Sequence, residues 1–259
     1  MRKTYVYIIS LLVINSTGEL MAQKPEATDP PDTVSIPLSF RVGIDVSGPV
    51  IYLTDKNNLT AEGFFSYDLN EKRSVFLGGG YSNYKYSQYN YSYKTNGIFV
   101  KAGVDFNFLK PQTTMGKYWA GVGLHYGISM FSYQIPELSH TNYWGTTTTS
   151  IPYQSRWGHF IEASPGFRAS LFGNFTIGWS VSLRKMIYSG GANDIRPIYI
   201  PGYGMAAKSF STGINYFLIW NFRYKIIHVV IKKEPPEEPE ENATPSPNNS
   251  SGNTQTTLP

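Results

Sequence analysis

The chain has four imidazoles, His125, His140, His159 and His228. Ser155 precedes His159 and Glu162 follows it within one short stretch, and His140 adjoins Ser139. A hydroxyl, an imidazole and a carboxylate can transfer acyl groups once a hydrogen-bond chain links them. Spacing alone does not build that chain, and the sequence assigns no catalytic residue. No two histidines stand at metal-ligand spacing, and no acidic loop follows the calcium pattern. The sequence therefore implies no metal. The chain has no cysteine, which excludes disulfides, thiolate sites and lipid attachment to a thiol. Gly78-Gly79-Gly80 lacks the Lys and Ser/Thr of a phosphate loop. No cofactor is implied.

The elements that must position these side chains are strands. From Ile98 to Phe108 every even position is apolar, while the odd positions after Phe99 are Lys101, Gly103, Asp105 and Asn107. This is a period of two, with one greasy and one polar face. About eleven residues is the length of a tilted strand that crosses a bilayer. The same alternation predicts strands over 37–46, 59–69, 73–83, 98–108, 117–131, 158–171, 174–186 and 209–224. The connections 70–72, 110–116 and 172–173 are short, whereas 47–58, 84–96, 132–156 and 188–207 are long. Short turns on one side and long loops on the other fit an outer-membrane barrel. The expected fold is all-β: an eight-stranded antiparallel up-and-down transmembrane β-barrel. A soluble barrel would turn its apolar face inward.

Composition agrees. Aromatics are 15% and charged residues 15%. The mean hydropathy of −0.27 is too polar for a helical membrane protein. Residues 1–22 have the basic start, apolar run and small-residue end of a signal peptide. A short N-terminal anchor helix is the other reading. Residues 23–35 read as a Pro-rich linker and 36–231 as the barrel. Residues 232–259 read as a disordered periplasmic tail, too poor in apolar residues to fold. The tail sets Lys232 and Lys233 against Glu234, Glu237, Glu238, Glu240 and Glu241, a net of −3 within a chain of net +4. Positive charge therefore concentrates in the barrel region, where it suits anionic lipid head groups. The Lys and Arg residues are scattered and no nucleic-acid module is present, so nucleic acid is not an expected partner.

The polar faces predict a lumen charge network of Arg41, Asp45, Glu62, Asp68, Lys101, Asp105, Glu162, Arg168, Arg184 and Arg223. Five bases face five acids. An eight-stranded bore has room only for side chains, and buried charges must pair. The network therefore reads as a plug. Inward glycines leave room for Phe64, Phe76 and Trp119. Glu162 and Arg184 lie equally far on either side of Gly173, so a hairpin centred there sets them opposite each other.

The long loops are rich in Tyr. Tyr84, Tyr86, Tyr89, Tyr91, Tyr143 and Trp144 form a candidate extracellular interaction surface, since Tyr with Ser and Asn is recognition chemistry. The competing reading is an interfacial aromatic girdle with strands prolonged above the membrane.

The last strand, Gly213 to Phe222, resembles the aromatic-ended recognition signal of outer-membrane barrels. Met21-Ala22-Gln23, the Gly43–Ser47 stretch and the region 36–225 resemble an uncharacterised family of small outer-membrane β-barrel proteins of the Bacteroidota. That resemblance implies location in the cell outer membrane, with outer-membrane lipids and other outer-membrane or periplasmic proteins as partners. It implies a structural or accessory role and carries over no active site. The alternative is a lipid A-modifying outer-membrane enzyme built on the Ser155, His159 and Glu162 region.

Overall fold

The computed structural model describes residues 33–88, 91–110, 114, 116–190, 197–206 and 209–230. The segments expected to be signal peptide and acidic tail lie outside these residues, as does most of the linker. The elements are β1 (Thr33–Asp45), α1 (Ser47–Thr54), β2 (Asn58–Asp68), β3 (Arg73–Gln88), β4 (Tyr91–Asn107), β5 (Tyr118–Asn142), β6 (Gly145–Phe172), β7 (Phe175–Ser189), β8 (Tyr199–Ile200), β9 (Gly204–Met205) and β10 (Phe210–Val230). Eight of the strands close a barrel in the order β1-β10-β7-β6-β5-β4-β3-β2. Every neighbouring pair is antiparallel. The short pair β8-β9 forms a separate ribbon.

Closure satisfies the backbone N–H and C=O groups of every strand, so the outer wall can be apolar without a polar edge. The wall is apolar: Val42, Ile44, Leu77, Ile98, Val100, Leu124, Ile161, Leu183 and Ile214 are all exposed. The bore holds the buried polar side chains, among them Ser66, Asp68, Lys101, Asp105, Ser129 and Glu162. This is the reverse of a soluble barrel, and a contiguous apolar belt of this kind requires lipid around it. Among the described residues, no helix is long and apolar enough to cross a membrane.

The strands run further than their apolar faces suggested. The expected loop 84–96 is mostly ladder, paired out to Gln88 and Tyr91. The expected loop 132–156 is a continuation of β5 and β6, paired out to Asn142 and Gly145. Tyr and Thr favour extended backbone, and period two persists after the outward residues cease to be greasy. The expected loop 47–58 contains α1, which packs on β2 and β10. Thr33, Val34 and Ser35, expected in the linker, pair with Val230, Val229 and His228 in the β1–β10 ladder.

Glycines shape the bore where rings cross it. A Cβ on Gly43 would lie 2.4 Å from the Phe64 ring, and one on Gly127 would lie 2.3 Å from the Phe160 ring. Phe64 and Phe76 stack at 5.3 Å between centroids, with Phe217 edge-on to Phe64. Replacing Gly127 with Ala must displace the Phe160 ring, so Gly127→Ala is expected to lose about 1–3 kcal/mol in reversible urea unfolding from lipid vesicles. Ile161→Leu, on the lipid-facing wall, is expected to stay within about 0.5 kcal/mol.

Candidate functional site

Alternation along β2, β4, β5, β6 and β7 turns Glu62, Lys101, Asp105, His125, Glu162, Arg168 and Arg184 into the bore, where they join in one connected network. Lys101 pairs with Glu62 and reaches Glu162 at 3.5 Å. Arg184 Nε donates to Glu162 at 2.6 Å. Arg168 Nη2 donates to Asp105 at 2.6 Å. His125 joins the two halves, with Nε2 3.0 Å from Asp105 and Nδ1 3.2 Å from Glu162. Its ring lies on Phe76, 4.1 Å between centroids. An imidazole meeting a carboxylate oxygen at both nitrogens can donate to both only as the imidazolium cation.

Nearer the mouth where β1 begins and β10 ends, Arg41 forms a two-pronged pair with Asp68, both contacts at 2.6 Å. Asp68 also accepts from Ser39 N at 3.0 Å and from Ser74 Oγ at 2.8 Å. The bidentate geometry is the strong form of this interaction.

Two residues expected in the network lie outside it. Asp45 has no cation at ion-pair distance among the described residues. Its carboxylate accepts from Ser47 N at 2.8 Å, Ser47 Oγ at 2.6 Å and Asn215 Nδ2 at 2.5 Å. Position at the top of β1 explains this, because the chain turns into α1 there and supplies its own donors. Arg223 is exposed and donates to the Gly173 carbonyl at 3.3 Å. The β1–β10 register shifts between Leu38 and Ser39, and Arg223 falls beyond the packed bore. One member was missed, His125. Its parity already placed it inside, but counting only Lys, Arg, Asp and Glu left it out.

Above this level the bore is closed by an aromatic cap. Residues 197–206 fold over the opening and place Ile200 and Tyr203 among Tyr93, Tyr133, Ile135 and Phe160. Tyr93 Oη donates to the Tyr199 carbonyl at 3.2 Å, and Tyr84 stacks on Tyr199 at 4.6 Å. Burial pushes the Tyr93 phenol well above its ordinary value of 10.0.

The candidate interaction residues divide accordingly. Tyr84, Tyr86 and Tyr91 pack against the cap. They do so because period two continues through Ser82, Tyr84 and Tyr86, keeping these rings on the inner face. Tyr89 lies outside the described residues. Tyr143 and Trp144 are 93% and 89% exposed at the turn between β5 and β6.

The residues weighed for acyl chemistry are not assembled. Ser155 Oγ bonds Ser132 Oγ at 2.9 Å, His159 Nδ1 bonds Tyr126 Oη at 2.9 Å, and Glu162 faces the bore. Odd and even positions of β6 point to opposite sides of the wall, which separates His159 from Glu162.

A family model matches residues 4–225, that of a domain of unknown function, DUF6048. The chain belongs to that family. Comparison with curated proteins gives no match. Among solved structures the chain is similar to Ail, the attachment invasion locus protein of Yersinia pestis. That match has 13% identity and a TM-score of 0.35, and covers 74% of this chain and 99% of that one. It is also similar to the N-terminal β-barrel domain of Pseudomonas aeruginosa OprF, with 12% identity, a TM-score of 0.28 and coverage of 74% and 98%. Acinetobacter baumannii CarO gives 12% identity, a TM-score of 0.33 and coverage of 73% and 98%. The eight-stranded closure itself is read from the ladders described above.

Two outcomes follow from this geometry. Glu162→Gln or Arg184→Gln leaves a buried charge short of its partner and is expected to cost about 3–5 kcal/mol. The double variant should cost less than the sum in reversible unfolding, since the two side chains share one contact; additive losses would show that they do not interact. The cap adds a pH dependence at the alkaline end. A phenol raised by burial contributes stability that is whole below about pH 10 and is lost as the pH climbs through the raised value. The unfolding midpoint should therefore fall above about pH 10, and Tyr93→Phe should flatten that fall.

Proposed function

We propose that the protein is an exported outer-membrane barrel of the Bacteroidota type. In this reading its lumen is plugged, and it works by interaction, as an accessory subunit of a larger outer-membrane assembly or export complex. The carrying observation is the β5–β6 ribbon. It continues about a dozen residues beyond Met130 and Trp157, roughly 40 Å of strand, and ends in the bare rings of Tyr143 and Trp144. Its rails are knit by hydroxyl pairs, Ser139–Thr148 at 2.9 Å and Thr141–Thr146 at 3.0 Å. Large, stiff aromatic side chains give contact area at low entropy cost, and such anchors dominate protein interfaces. The network and cap support the plug, because ions would have to displace paired charges and packed rings.

The test compares the native chain with a Tyr143→Ser, Trp144→Ser variant, each used as bait in gently solubilised outer membranes. A partner should copurify with the native chain and be lost from the variant at equal amounts of heat-modifiable barrel. An unchanged set of copurifying proteins would remove the ribbon from the interface. Recovery of the barrel in the soluble periplasmic fraction would contradict the location. In planar bilayers the native chain should show no stable conductance, and a steady open channel would contradict the plug.

A further inference from the structure

Below the charge network the bore opens into a cavity of about 90 Å³ at the mouth where β1 begins and β10 ends. Arg41, Lys117, Arg168 and Arg223 line it, against the two carboxylates Asp68 and Glu71. Asp68 is committed to Arg41 and Arg168 to Asp105, which leaves Lys117 and Arg223 against Glu71. The positive side of this mouth is therefore in surplus.

Residues of the wall also carry unpaired hydrogen-bond groups, closed off from solvent, that a ligand meets once their side chains turn toward the cavity. Arg168 Nη1 and Trp119 Nε1 are both buried without a partner. Arg168 lies over the Trp119 ring, its guanidinium carbon 4.2 Å from the ring centroid, so the two donor-bearing groups are stacked together. Asn221 Nδ2 meets Thr176 Oγ1 at 2.6 Å, and its Oδ1 is unpaired. Thr176 can donate as readily as accept, so turning the amide over would present a third N–H. Native structures pair nearly all their buried polar groups. Stacked donors beside surplus positive charge suit an acceptor with several oxygens, and repel a cation.

We propose that this mouth binds one oxyanion, a carboxylate or phosphate group, through Arg168 and Trp119, with Lys117 and Arg223 adding attraction. The oxyanion has two sources. One is a free anion. The other is a glutamate of residues 232–259, which begin just beyond Val230 and carry Glu234, Glu237, Glu238, Glu240 and Glu241. A tethered carboxylate of this kind acts at a high effective concentration.

The full chain, labelled with ¹⁵N and refolded in micelles, is titrated with sodium phosphate at ionic strength held constant with chloride. The Trp119 indole N–H is expected to shift saturably, while that of Trp144 at the far end stays fixed. Arg168→Lys should weaken binding about tenfold, because lysine loses the fixed fork of donors. Arg223→Gln, outside the ion-pair network, should weaken binding without unfolding the barrel. Trp119→Phe keeps the stacked ring and removes the N–H; read through the Arg168 guanidinium signals, it too should bind more weakly. Changing the five tail glutamates to Gln identifies the source. If the tail occupies the mouth, the Trp119 signal moves before any phosphate is added and phosphate then binds more tightly. If the ligand is free, the two chains titrate alike. An unsaturating drift, the same in the Arg223 and Trp119 variants as in the native chain, would overturn the site and leave the cavity to water.

Discussion

Glu162 is the point on which the bore depends. Its carboxylate is reached by Lys101, Arg184 and His125, which come from three different strands. Closing eight strands brings opposite walls so near that charged side chains must find partners inside. A lone buried charge would cost more than the fold can tolerate, whereas a network that shares its carboxylates holds several strands in a single register. Register and charge pairing are therefore one constraint. A slip of one residue on β6 would turn Glu162 to lipid and Ile161 into the bore.

The same constraint sets the character of each end. Where the inward residues are short, as at Gly43 and Gly127, rings from neighbouring strands cross the gap and complete the packing. Toward the cap the inward side chains become aromatic, and the returning loop at Ile200 and Tyr203 fills the widening space. Toward the other mouth they remain basic, and the space is left partly open. A closed centre with unlike ends accords with the proposed role in interaction.

Much of this was legible because a strand has a strict period. Counting from Gly173 was enough to set Glu162 against Arg184, and the ladder pairs them. The inward parity of Lys101, Asp105 and Arg168 was equally plain. Parity failed at irregularities. The register shift after Leu38 and the end of the bore explain Arg223, and the turn into α1 explains Asp45. His125 was legible but overlooked, since its charge depends on what it touches. The cap was not legible at all. Tyr199 and Tyr203 meet Tyr84, Tyr93 and Phe160 only through the tertiary fold, and nothing in their local sequence says so. The prolonged ribbon could have been found by following period two past the end of the apolar face.

A greasy lumen would pack as well, so the choice of a polar one needs a reason. Strands apolar on both faces would each be an unbroken hydrophobic run with high β-propensity, the composition that aggregates whenever it is exposed before folding. Alternating each apolar residue with Ser, Gly or a charge keeps the strands from being continuous apolar runs. The chain can then remain in water until the strands meet, and only closure assembles the partners that the inward charges need. Lys101 from β4, His125 from β5, Glu162 from β6 and Arg184 from β7 have little to gain until their strands stand side by side. The network thereby links the stability of the lumen to completion of the barrel, and a partly paired sheet gains little by remaining open.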